Sequence, residues 1–127
     1  MMKTILIVDD QPELRLLLRI VLEDEGFECL EASDGEMAIQ LLTDHSPVDL
    51  VVTDFQMPRM HGLQLLNQLM THPVLRKIPK IFITAENSLH LRHKAFQAGA
   101  NLVLFKPLDV MALRACVQRL LTPRQAA

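Results

Sequence analysis

The chain contains no tryptophan and no tyrosine, and five phenylalanines are its whole aromatic content. A protein that stacks nucleic-acid bases needs aromatic faces, so that class is disfavoured. Basic excess is missing too: 13 Lys and Arg stand against 15 Asp and Glu, a formal net charge of −2. Direct nucleic-acid binding, which leaves a basic footprint, is therefore not expected. The two cysteines, Cys29 and Cys116, have neither metal nor redox spacing and read as reduced packing residues. No apolar run reaches membrane-spanning length. The opening Met1-Met-Lys-Thr-Ile-Leu-Ile-Val-Asp-Asp10 stops a short apolar run with two acids, unlike a secretory signal. A cytoplasmic location without membrane insertion is the expectation. No Pro/Gly/Ser-rich linker divides the 127 residues, half of them apolar, so one domain with a real core is expected.

What the chain does have is alternation. Short apolar runs at Thr4–Val8, Phe27–Ala32, Val48–Thr53, Lys80–Thr84 and Asn101–Phe105 read as strands, separated by helical patterns. Pro12 suits a first helical turn, and Leu14, Leu17, Leu18, Val21 and Leu22 keep the spacing of one helical face until Gly26 ends it. Glu28 and Glu31 leave the second run half polar, as an edge strand would be. Ser33 or Asp34 can cap a second helix running to about His45. A third helix carries Leu63, Leu66 and Met70 on one side, and Pro73 and Pro79 bracket the connection that follows. A weakly periodic fourth helix spans Asn87–Ala98, closed by Gly99. Asp109 caps a fifth, with Val110, Leu113, Val117 and Leu120 as its buried stripe. Such alternation predicts an α/β fold, a doubly wound flavodoxin-like parallel sheet of five strands in the order 2-1-3-4-5. Residues 1–122 would form that domain, with 123–127 a short tail and no room for an output domain.

In open parallel sheets chemistry sits outside the carboxyl ends of the strands, at the point where strand order reverses. The first run ends in Asp9 and Asp10, the third in Asp54, the fourth in Thr84 and the fifth in Lys106. Two carboxylates about 4 Å apart repel by roughly 4 kcal/mol at an effective dielectric near 20. A divalent cation relieves this, and all-oxygen ligation favours magnesium, with manganese as the alternative. Helix capping by Asp9 and Asp10 is the simpler explanation of those two residues, but it leaves Asp54 and Lys106 unexplained. The constellation suggests an aspartyl-phosphate site. Asp54 would be the nucleophile, Lys106 a fixed positive charge and Thr84 a hydroxyl donor. Pro107 makes the Lys106 bond eligible for the cis form.

Ile-Leu-Ile-Val-Asp9-Asp10, Asp54-Phe-Gln-Met-Pro58 with Gly62 beyond, Thr84-Ala85 and Phe105-Lys106-Pro107 together resemble the receiver domain of two-component response regulators. The resemblance covers nearly the whole chain and looks like a stand-alone, chemotaxis-type or shuttle-like form. It implies Mg²⁺ held by Asp10, by Asp9 largely through water, by Asp54 and by the backbone carbonyl of Gln56. It implies phosphorylation of Asp54 by a sensor histidine kinase or histidine phosphotransfer protein, with Lys106 and Thr84 gripping the phosphoryl group. Gln56 and Glu86 occupy positions that tune hydrolysis in the family. The implied function is a phosphorylation-controlled interaction switch, a regulator with weak self-phosphorylating and autodephosphorylating chemistry rather than a dedicated enzyme. A phosphorelay intermediate and a phosphorylation-independent interaction module are the alternatives. Dimerisation is compatible with either.

Two positions depart from the family pattern. Val103 stands three residues before Lys106, where Phe or Tyr is common, which weakens or reroutes an inward-swinging aromatic switch. His61 stands where an acid commonly precedes Gly62. His90, Arg92, His93 and Lys94 form a basic cluster on the fourth helix, a candidate face for a downstream protein. His90 and His93 lack a third ligand for metal binding. A flavin-binding flavodoxin is disfavoured, since acids after strand one would repel a cofactor phosphate.

Overall fold

A computed structural model describes residues 2–44, 47–55 and 62–122. Five strands, β1 (Thr4–Val8), β2 (Glu28–Ala32), β3 (Leu50–Asp54), β4 (Lys80–Thr84) and β5 (Leu102–Phe105), alternate with five helices. These are α1 (Pro12–Asp24), α2 (Gly35–Asp44), α3 (Gly62–Thr71), α4 (Leu89–Gln97) and α5 (Val110–Leu121). The strands pair in parallel in the order β2-β1-β3-β4-β5, as expected.

Side chains alternate across each strand, and because both faces are covered the central strands are apolar throughout. Ile5, Ile7, Leu50, Val52, Ile81 and Ile83 face one way and pack with Leu18 and Leu22 of α1 and Leu113 and Val117 of α5. Leu6, Val8 and Val51 face the other way, against Ala38 and Leu42 of α2 and Leu65 and Leu69 of α3. Near the β5 edge, Phe82 joins Leu66 of α3 and Ala95 of α4 in a third cluster. The acids of β2 are explained by its edge position. Glu31 accepts from Arg15 Nε at 3.0 Å and from Arg19 Nη1 at 2.8 Å, tying the edge to α1. Those guanidinium bonds, that of Arg19 foremost, hold the Glu31 carboxyl below its ordinary range.

Helix ends follow local chemistry. Pro12 opens α1, Asp34 Oδ1 accepts from Met37 N at 2.8 Å to cap α2, and Asp109 caps α5 through Met111 N and Ala112 N. Ser88 caps α4 by accepting from Leu91 N, so that helix starts two residues later than the sequence pattern suggests. Gly26 and Gly99 both hold positive φ just past helix ends.

Two predicted stripes shift. Leu17 is exposed rather than buried, because α1 turns Leu18, Val21 and Leu22 to the core and leaves Leu16, Leu17 and Ile20 outside. Met70 is likewise exposed on α3, where Leu65, Leu66 and Leu69 fill the interior between α2 and α4. β3 begins at Leu50 rather than Val48, since Asp49 is spent joining the strand to Thr4: Thr4 N donates to Asp49 Oδ2 at 2.8 Å. β5 starts at Leu102, after Asn101 N and Oδ1 bond the Lys80 backbone. The predicted α2 end at His45 lies outside the described residues.

Candidate functional site

The reversal of strand order between β1 and β3 brings Asp9, one residue past β1, beside Asp54, the last residue of β3. Carboxylate oxygens of Asp9, Asp10 and Asp54 all lie within 4.8 Å of one another. Asp9 and Asp54 are buried and Asp10 is exposed, so the cluster opens to solvent on one side. From the end of β5, Lys106 Nζ reaches Asp54 Oδ1 at 3.2 Å. Thr84, at the end of β4, is buried, and its Oγ1 accepts from Glu86 N at 3.0 Å. That bond leaves the hydroxyl proton of Thr84 free to be donated elsewhere. The Lys106–Pro107 peptide is cis.

Asp10, Asp54, Thr84 and Lys106, with Gln11 and Glu86, line a cavity of about 330 Å³. Its electrostatics are unbalanced. Burial pushes the Asp9 carboxyl up to about 6, and its neighbours Asp54 and Asp10 push the same way; the backbone N–H of Gln11, donating at 2.8 Å, and Lys106 oppose them. Burial also raises Asp54, against the pull of Lys106 and the N–H of Phe55 at 2.9 Å. One ammonium against three acids leaves negative charge over. A small divalent cation fits this all-oxygen donor set and the charge left on it.

Helix capping does not account for the acids: Asp9 Oδ1 is engaged by Gln11 N, before α1 begins, and Asp54 is bonded by Lys106 and Phe55. Every predicted site residue within the described residues meets at this edge. Gln56, predicted to offer a backbone carbonyl to the metal, lies outside the described residues, as does His61.

Arg15 escapes sequence reasoning, while Gly62, read only from its motif, and Arg92, read only as part of a basic cluster, take on roles that the sequence does not give them. Arg15 Nη1 donates to the Asp9 carbonyl at 2.7 Å while its Nε holds Glu31, fixing the backbone that presents the acid pair. The spacing of Arg15 and Arg19 on one side of a helix facing a charged edge strand was the available signal. Gly62 opens α3 where a Cβ would fall 2.5 Å from the Asp54 carbonyl and 2.5 Å from the Phe82 ring, so only glycine lets α3 begin against β3. Arg92 lies over the ring of Phe105, next to Lys106, at 5.6 Å from its centre.

The order of strands, the sheet-end acids and the opposing lysine define a doubly wound domain with a carboxylate-rich site at its switch point. Residues 5–118 match the response regulator receiver domain, and the chain belongs to that family of two-component signalling. It is 39% identical over 115 residues to the probable chemotaxis protein CheY of Rhizobium etli, covering 90% of this chain and 88% of that protein. It is 33% identical over 121 residues to sporulation initiation phosphotransferase F of Bacillus subtilis, covering 95% of each. Some relatives are longer: the chain spans 47% of response regulator GtcR of Aneurinibacillus migulanus. The solved structure of Vibrio cholerae chemotaxis protein CheY4 superposes with a TM-score of 0.89 at 27% identity, covering 95% of this chain and all of that one. Among the described residues no helix is long and apolar enough to cross a membrane.

Proposed function

We propose that the protein is a magnesium-dependent phosphoryl acceptor at Asp54, charged by a histidine kinase or histidine phosphotransfer protein and read out as a protein-interaction switch. The observation that carries this is the 3.2 Å contact of Lys106 with Asp54 inside a cluster of three carboxylates. An Asp54 oxygen attacks the phosphorus of a phosphohistidine protonated at its other ring nitrogen, the P–N bond breaks with its electrons staying on nitrogen, and the donor leaves as neutral imidazole. Lys106 then exchanges its bond to Asp54 Oδ1 for one to a phosphoryl oxygen. Thr84 donates its free hydroxyl proton to another. Asp9, Asp10 and Asp54 would hold Mg²⁺, joined by the backbone carbonyl of Gln56. When bound, the ion supplies positive charge to the phosphoryl oxygens and to the acids that otherwise repel them.

The donor's histidine must approach over the open side of the cavity. Leu16, Leu17 and Ile20, outward on the helix that follows Asp10, give it an apolar surface on which to pack. A downstream protein is assigned to the opposite flank, where His90, His93 and Lys94 are exposed on α4 beside the outward Leu89 and Phe96. Incubation with acetyl phosphate and Mg²⁺, followed by intact mass, tests the chemistry. A phosphoryl adduct is expected for the wild type only with Mg²⁺, and none for Asp54→Asn. A phosphorylation-independent role would follow from its absence when magnesium binding is confirmed separately and hydrolysis is slow.

The likeness over nearly full length to sporulation initiation phosphotransferase F supports a second reading, a relay intermediate. Fast return of the phosphoryl group to a histidine protein would favour the relay, and a long-lived adduct the switch.

A further inference from the structure

We propose that Arg92 and Phe105 form a latch that couples the seating of α4 to the state of the phosphoryl site. The inference rests on Asp54 as phosphoacceptor and adds the route by which its state reaches α4.

Phe105 occupies a position common to both groups that grip the phosphoryl oxygens. It precedes Lys106 in the chain, and in the β4–β5 register it lies opposite Thr84. Lys106 N also donates to the Thr84 carbonyl at 2.8 Å, so the end of β5 and the end of β4 are fastened together there. Strand alternation separates Phe105 from Leu102 and Leu104, which pack in the α1–α5 core, and turns it toward the α4 side with Val103. The guanidinium of Arg92 covers its ring at 5.6 Å, within cation–π range.

The helix on the other side of this contact is weakly held. Only Leu91 and Ala95 of α4 are buried, while Leu89 and Phe96 face outward. A single added contact therefore weighs more on α4 than on any helix with a full buried stripe. Val103 meanwhile packs beside Phe82 and Ala95 and offers no aromatic ring, which makes Phe105 the one aromatic of β5. When Lys106 leaves Asp54 Oδ1 for a phosphoryl oxygen, the backbone of Phe105 is pulled with it and its ring shifts beneath Arg92. A ligand moves an equilibrium only by binding two states differently, and this contact differs between them. The strength of an exposed cation–π pair corresponds to a shift in population of about two- to fivefold.

The test is amide hydrogen exchange across residues 89–97 of the full chain, with and without Mg²⁺ and beryllofluoride as the phosphoryl analogue. Adduct formation from acetyl phosphate is followed in parallel by intact mass. Arg92→Gln and Phe105→Leu are expected to raise α4 exchange about two- to fivefold without the analogue and to remove most of the analogue's effect. Adduct formation should remain in both. Phe105→Trp, which keeps an aromatic face, is expected to restore both α4 behaviours. Arg92 is a surface residue, so its variant reports even if the Phe105 variants fold poorly. An α4 response of equal size in wild type, Arg92→Gln and Phe105→Leu, with adduct still formed, overturns the latch and leaves the phosphoacceptor reading standing. Absence of any adduct in the wild type removes that reading, and the latch as its sensor with it.

Discussion

The two ends of the parallel sheet handle polar groups in opposite ways. At the amino end every named group is closed off by a partner. Thr4 and Asp49 exchange two bonds, Lys80 and Asn101 exchange two more, and Lys80 Nζ donates to the Arg76 carbonyl at 3.0 Å beside the Met70 sulfur. Lys80 is 1% exposed, and burial alone pulls its pKa down. At the carboxyl end, acids are gathered faster than they are neutralised, and burial raises both Asp9 and Asp54. Both ends contain a buried or half-buried lysine, yet Lys80 fastens a connection whereas Lys106 faces an acid cluster with charge to spare. Pairing builds the fold; incomplete pairing leaves negative charge uncompensated at the carboxyl end.

Exchanging the two lysines' roles is the sharpest way to break this contrast. Lys106→Ala is expected to slow phosphorylation by acetyl phosphate about 100-fold or more, since it removes the fixed charge that meets the phosphoryl group, with little change in thermal stability. Lys80→Ala should do the reverse. It leaves a core cavity and an unpaired carbonyl, costing about 2–4 kcal/mol in a denaturant titration while the phosphorylation rate of the folded protein holds. Equal effects of the two variants on rate would dissolve the distinction.

A pH series sharpens it further. Without metal, the folded chain keeps the Asp9 proton up to about pH 6, whereas the unfolded chain releases it near 3.8. Folded protein thus binds more protons in that window, so stability falls as pH rises from about 4 to 6 and stays low above it. Asp54, raised in the same direction, adds to the slope. Asp9→Asn should flatten the curve and raise the melting temperature of metal-free protein at pH 7 by about 3–6 °C. Mg²⁺ should stabilise the wild type at pH 7 and the variant much less. The smallest effect belongs to the amino end: Asp49→Ala, which frees Thr4 N, is expected to cost about 1 kcal/mol without changing phosphorylation.

The order of strands and the meeting of Asp9, Asp10, Asp54, Thr84 and Lys106 were legible because both depend on strand ends, and apolar runs that stop at an acid, a hydroxyl or a lysine mark those ends directly. Helix faces were harder to read. Leu17 and Met70 fit a periodic stripe, but an α3 wedged between two helices and an α1 with leucine on three sides carry more apolar residues than the core takes. Lys80 reads as the polar start of a strand, and nothing local says that α3 and the turn at Leu75–Lys77 fold over it. Arg92 over Phe105 and Arg15 on the Asp9 carbonyl join residues from separate elements, which periodicity does not register.

At the carboxyl end of the sheet, one residue is expected to react. Borohydride reduces an acyl phosphate to the alcohol, converting a phosphorylated aspartate into homoserine that survives digestion. The wild-type protein, treated with acetyl phosphate and Mg²⁺, then borohydride, should carry homoserine at position 54 and nowhere else, and none when Mg²⁺ is withheld. Homoserine at position 9 or 10 instead, or equal labelling without the ion, would rule out Asp54 as the magnesium-dependent phosphoacceptor.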